Sequence, residues 1–165
     1  MNILKYLWCG YSSIARKNPT TDMESNTDSM DITNLTKFIP VIKTGKVVKV
    51  YDGDTITIGA KMEIEGKETK KLYQFSVRLN GIDTPELKTK NPTEKSRAIL
   101  ARDDLSSMIL GKVVTLTDVS YDKYGRILAN VKDASGVDMS QWMIEKGHAV
   151  SYDGGTKKRP VEWTD

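Results

Sequence analysis

Residues 70–86 read KKLYQFSVRLNGIDTPE. Apolar and aromatic residues partly alternate with polar ones as far as Leu79, the pattern of a strand with one buried face. The strand carries Arg78 and runs into a turn, Asp83-Thr84-Pro85-Glu86. About two dozen residues earlier a second acidic turn, Asp52-Gly53-Asp54-Thr55, opens another strand. Acidic side chains brought together beside one arginine repel one another and raise their own pKa values unless a divalent cation or a phosphate shares the site. The two turns therefore point to a metal-assisted phosphate site.

Working outward, KVVKVY (46–51) and TITIGAKMEIE (55–65) are rich in Val, Ile and Thr and read as two strands that form an antiparallel meander with the third. Glu65-Gly66-Lys67-Glu68 is the hairpin turn before that third run. A helix starts at Asn91-Pro92-Thr93-Glu94, with Asn as N-cap, Pro at the first helical position and Glu where it can reach back to the cap. Ala98, Ala101, Leu105, Met108 and Ile109 recur at three- and four-residue spacing and give it one apolar face, and Gly111 is its stop. KVVTLTDV (112–119) and RILANVKD (126–133) read as two more strands, joined through Tyr121-Asp122-Lys123-Tyr124-Gly125. Asp138 and Gln141 make a second capping pair for a short helix through Ile144, closed by Gly147. The expected fold is mainly β (α+β): a small closed five-stranded barrel with two flanking helices.

In a chain of 165 residues, 38% apolar, one domain and a tail fit. The stretch from Asn18 to about Lys43 is Ser-, Thr-, Asn- and Asp-rich and too poor in large apolar residues to offset the entropy of ordering, so residues 1–43 are expected to be a flexible tail and 44–165 the domain. A formal charge of +3 gives no strong net attraction to nucleic acid. One cysteine, Cys9, and one histidine, His148, exclude a disulfide framework and any multi-cysteine or multi-histidine metal site. The same cysteine count leans slightly to an intracellular protein. No run is long and apolar enough to span a membrane. The opening segment reads as uncleaved, and Cys9 as an ordinary thiol rather than a lipid attachment point.

The motifs DGDT, VRLNGIDTPE and DKYGR, in this order and spacing, resemble those of the staphylococcal nuclease (thermonuclease) family over roughly Gly45–Tyr152. The resemblance implies a barrel of the oligonucleotide-binding type and calcium-dependent hydrolysis of phosphodiesters in DNA and RNA, single-stranded or loosened substrates preferred, with little sequence preference and a 3′-phosphate product. Asp54 and Asp83 are hard oxygen donors that suit Ca2+, and the resemblance adds the Thr84 carbonyl. Pro85 stiffens the backbone at Thr84. Glu86 is the candidate general base, orienting or deprotonating the attacking water. Arg78 and Arg126 would clamp phosphate oxygens and offset transition-state charge. By the family pattern Lys123 and Tyr124 hold a terminal phosphate, and Tyr152 either stacks on a base or packs.

Alternative readings remain at this stage. Asp52 either supports the metal ligands or simply forms its turn. The acidic turn residues as a group would otherwise be local caps. The whole domain would otherwise be a non-catalytic module gripping nucleic acid or protein, although Arg78, Glu86 and Arg126 standing together favour the enzyme. A monomer is expected, with no obligate protein partner. The family's long C-terminal helix has no counterpart before Asp165, so either Val161 and Trp163 pack on that face or the barrel is less stable than its relatives.

Overall fold

The computed structural model describes residues 33–156 and 159–165. Cys9 and most of the expected tail lie outside them. Phe38–Asp165 is one compact unit. Its first residues already join the barrel, because Ile42 is buried in the core and Val41 bridges Glu63.

Five strands close the barrel: β1 (Thr44–Val50), β2 (Thr55–Ala60), β5 (Tyr73–Leu79), β8 (Ile127–Lys132) and β7 (Val113–Tyr121), in the order β1-β2-β5-β8-β7. All neighbours are antiparallel except β5 and β8, which run parallel. Two short pairs lie outside the barrel: β3 (Glu63–Ile64) with β4 (Lys67–Glu68), and β6 (Ile82–Asp83) with β9 (Val150–Ser151). Alternation places Val47, Ile56, Ile58, Val77, Leu79, Ala129 and Val131 inside with no exposed surface.

The run 55–65 is not the single strand its composition suggests. It breaks after Ala60, and Glu63–Ile64 pairs with Lys67–Glu68 across a two-residue turn in which Glu65 and Gly66 both have positive φ (51° and 75°). That geometry matches the right-handed twist of a hairpin.

Helix α1 (Pro92–Ile109) buries Ala98, Ala101, Leu105 and Ile109, the last three in the main core, with Met108 half-buried against it. Asn91 caps it by accepting from the Glu94 N–H. The reciprocal arm of the capping box is absent: the Glu94 carboxylate accepts instead from the Glu86 N–H and the Thr89 hydroxyl. Helix α2 (Met139–Glu145) is likewise capped by Asp138, but the Gln141 amide donates to Glu145 rather than to the cap. After α1, Gly111 takes φ 75° and donates to the Val47 carbonyl, tying the helix end to β1. A 3₁₀ turn, Val161–Trp163, follows β9. Trp163 packs down to 4% exposure, whereas Val161 stays exposed, so only the tryptophan does the covering expected of the pair. Among the described residues no helix is long and apolar enough to cross a membrane.

Candidate active site

The β2–β5 register pairs Thr55 with Arg78, and the Leu79 N–H donates to the Asp54 carbonyl. Two residues far apart in sequence, Asp54 and Arg78, are thus neighbours by strand geometry. Arg78 is buried at 7% exposure. Its Nη2 lies 2.8 Å from Asp54 Oδ2 and 3.4 Å from Asp83 Oδ1, and its Nη1 donates to the Ile82 and Leu79 carbonyls at 3.0 and 3.3 Å. The guanidinium is held by the strand end and by the turn that carries Asp83.

The first acidic turn is closed by hydrogen bonds from the Tyr51 and Asp52 N–H groups to the Thr55 carbonyl. Gly53 sits at its tip, where a Cβ would come within 3.0 Å of both Ala101 Cβ and Thr84 Cγ2. The glycine lets the turn lie against the Asp83-Thr84 turn and helix α1. Asp52 accepts from the Asp54 N–H and also faces the cleft, so it both forms the turn and belongs to the site. Burial, and then the negative charge of Asp54, push its carboxyl up to about 7.

Arg126 comes from the turn before β8. Its Nε donates to Asp122 Oδ2 at 2.7 Å and its Nη1 to Thr55 Oγ1 at 3.2 Å, while Thr55 Oγ1 donates to Asp54 Oδ1 at 2.7 Å. A continuous polar chain therefore links Asp122, Arg126, Thr55, Asp54, Arg78 and Asp83. The Tyr124 ring lies 5.2 Å from Lys123 Nζ and 5.7 Å from the Arg126 guanidinium carbon. The backbone of Tyr152 donates to the Gly81 carbonyl, and its ring lies 5.6 Å from the Arg78 guanidinium carbon.

A cleft of about 800 Å³ is lined by Asp54, Arg78, Thr84, Glu86, Lys123, Tyr124, Arg126 and Tyr152, together with Asp52 and Asp122. Every candidate from the sequence except Asp83 faces it. Asp83 is buried just behind, its backbone paired with Val150 and its carboxylate on Arg78. Outside the cleft, Arg102 pairs with Asp103 and His148 with Asp104. Arg159 has its Nη1 3.5 Å from Glu94 Oε2.

Three supporting residues escaped the sequence reading. Asp122 orients Arg126, and its place four residues before that arginine within DKYGR was the available signal. Thr55 bridges the two halves of the cleft. Glu94, only 1% exposed, holds the segment that carries Glu86.

Asp54, Asp83 and the Thr84 carbonyl form a donor set of hard oxygens. Among the described residues no group of three or more His, Cys, Asp or Glu side chains is placed to hold a metal ion.

A small mixed barrel presents two arginines and several carboxylates in one open cleft. The family follows from comparison: a family model described as staphylococcal nuclease homologue matches residues 76–162, more than half of the chain, and the chain belongs to that family. The match includes Arg78 through Tyr152 and begins after the Asp52–Asp54 turn. The chain is 34% identical over 109 residues to an uncharacterized endonuclease of Escherichia coli, covering 66% of this chain and 61% of that protein. It is 35% identical over 101 residues to the staphylococcal-like nuclease CAN1 of Arabidopsis thaliana, covering 59% and 29%. It is 32% identical over 126 residues to the probable endonuclease LCL3 of Candida tropicalis, covering 67% and 53%. The chain thus spans less than two thirds of the length of these relatives.

Proposed function

We propose that this protein is a calcium-dependent endonuclease that hydrolyses phosphodiester bonds in DNA and RNA with little sequence preference and leaves 3′-phosphate ends. The observation that carries the reading is the convergence of Arg78, Arg126 and Glu86 on the cleft that Asp54 and Thr84 line and Asp83 backs. Asp54, Asp83 and the Thr84 carbonyl would hold the cation, which when bound supplies a Lewis acid for a phosphoryl oxygen.

The chain's own residues account for the rest of the reaction. Glu86 orients a water and takes its proton as the water oxygen bonds to phosphorus. The bond from phosphorus to the 5′ oxygen breaks in line, that oxygen leaves as a hydroxyl with a proton from solvent water, and the phosphate stays on the 3′ side. Arg126, aimed by Asp122 and Thr55, and Arg78 offset charge on the pentavalent phosphorane. Lys123 and Tyr124 hold a neighbouring phosphate, and Tyr152 offers a ring face to a base, a contact that needs no sequence code.

Cleavage of single-stranded DNA and of RNA by the purified protein, with calcium and with chelator, beside an Arg78→Ala control, tests the proposal. Calcium-dependent cleavage that the substitution abolishes supports it. Binding without cleavage under every metal condition would make the domain a nucleic-acid-binding relative instead.

A further inference from the structure

Beyond the phosphate clamp, one side of the cleft carries a polar relay that the proposed reaction does not use. Asn80, at the turn that follows β5, lines the cleft two residues after Arg78. Its Nδ2 donates to Asn130 Oδ1 at 3.1 Å, and Asn130 Nδ2 donates to Asp118 Oδ2 at 2.6 Å. Asp118 occupies a β-bulge in β7 with φ 53°, an unusual conformation for a residue with a side chain. Bulges of this kind re-aim a side chain, and here the carboxylate meets Asn130 on the neighbouring strand.

The relay fixes the direction of each amide. A carboxylate only accepts, so Asn130 must turn its NH₂ group towards Asp118 and its oxygen towards Asn80. Asn80 then turns its NH₂ group towards Asn130, which leaves Oδ1 as the end of its amide facing away from the relay. The backbone at Asn80 is held as well: its N–H donates to the Ala129 carbonyl and its carbonyl accepts from Ser140 Oγ. Leu128, in register with Arg78 across β5 and β8, and Tyr152 line the same cleft and give it apolar surface that a nucleoside can cover.

We infer that Asn80 is a specificity-determining residue of the cleft, its Oδ1 accepting a hydrogen bond from the nucleoside attached to the clamped phosphate, through a sugar hydroxyl or a base-edge N–H. The inference rests on the cleft being a nucleic-acid site and adds to it a preference that the phosphate contacts alone do not supply.

The test measures binding of four single-stranded probes by fluorescence anisotropy with calcium, in a Glu86→Gln background so that bound strands stay intact. The probes are oligo-rU, oligo-dU, oligo-dC and an abasic deoxyribose-phosphate strand. Asn80→Leu should weaken at least one base-bearing strand about five-fold more than the abasic strand, the worth of one neutral hydrogen bond. A loss confined to oligo-rU assigns the 2′-hydroxyl as the donor, and a loss shared by the DNA strands assigns the base edge. Asp118→Asn, which frees the amide orientations without touching the ligand, should narrow the preference in the same direction. Equal weakening of all four probes by Asn80→Leu, or an unchanged preference in both variants, overturns the inference while leaving the nuclease reading intact. Failure of every probe to bind the Glu86→Gln protein overturns both.

Discussion

The buried carboxylate of Glu94 accepts a hydrogen bond from the backbone N–H of Glu86 at 3.3 Å. The same carboxylate takes the Thr89 hydroxyl and has the Arg159 guanidinium 3.5 Å away. Because Asn91 and Pro92 fix where α1 begins, they also fix where Glu94 stands, and through it the segment that presents Glu86 to the cleft. Replacement by alanine should cost about 1–3 kcal/mol for the donors deprived of that acceptor. It should also lower kcat more than it raises KM, since the general base loses its placement while the phosphate clamp stays whole. Thermal unfolding and steady-state kinetics on Glu94→Ala read both effects, and a stability loss with unchanged kcat would reduce Glu94 to a packing role.

On the proposed mechanism, Glu86→Gln and Arg126→Ala remove groups that act in the transition state. Each should lower turnover by about two orders of magnitude or more, the scale reported for single catalytic acids, bases and charge stabilisers. Glu86 is half-buried at the cleft edge and Arg126 lies at a strand start, so neither change should disturb the barrel core. Near-full activity in both, with the fold verified by circular dichroism, would remove the site assignment.

The barrel was legible because its causes are local. Period-two alternation, a proline after an asparagine cap and glycines past helix ends all act within a few residues, and all appear where the sequence placed them. The acidic turns and arginines were legible as motifs too. What the chain did not disclose depends on distant partners. Glu94 looks like half of a capping box until the 86–89 segment passes over it, and the break after Ala60 follows from a short hairpin that also meets Val41. Asn80 and Asn130 are fifty residues apart, and only the parallel pairing of β5 with β8 brings their side chains together.

Arg78 stands between the two carboxylates that would share a cation. With Arg78→Ala, Asp54 and Asp83 lose the guanidinium that both engage, and breaking a buried pair in this way typically costs about 3–5 kcal/mol. A divalent cation would replace the missing charge. The variant should therefore unfold at lower temperature than the parent in chelator and recover more of its stability on adding calcium, by a larger thermal shift than the parent shows. An equal calcium shift in the two proteins would place the cation elsewhere.

Asp122 supplies a pH-dependent contribution whose sign follows from its surroundings. Burial alone would raise its carboxyl, but hydrogen bonds from the Arg126 side chain and from the Arg126 and Tyr124 N–H groups outweigh that and hold it below the usual carboxylate range. A carboxyl depressed in the folded state binds its proton more readily when unfolded. Its contribution is therefore present in full above the unfolded value of about 4 and is lost as pH falls through the lower folded value. The Asp133 carboxyl, held low first by the Ser135 hydroxyl and then by the Val137 N–H, adds a slope of the same sign to the parent protein. Comparing the parent with Asp122→Asn cancels that shared slope. The variant should unfold at lower temperature near neutral pH, and the gap should close as pH drops below about 4. A gap that stays constant down to pH 2 would mean that the Asp122 charge contributes nothing to holding Arg126, and that the turn geometry alone aims the guanidinium.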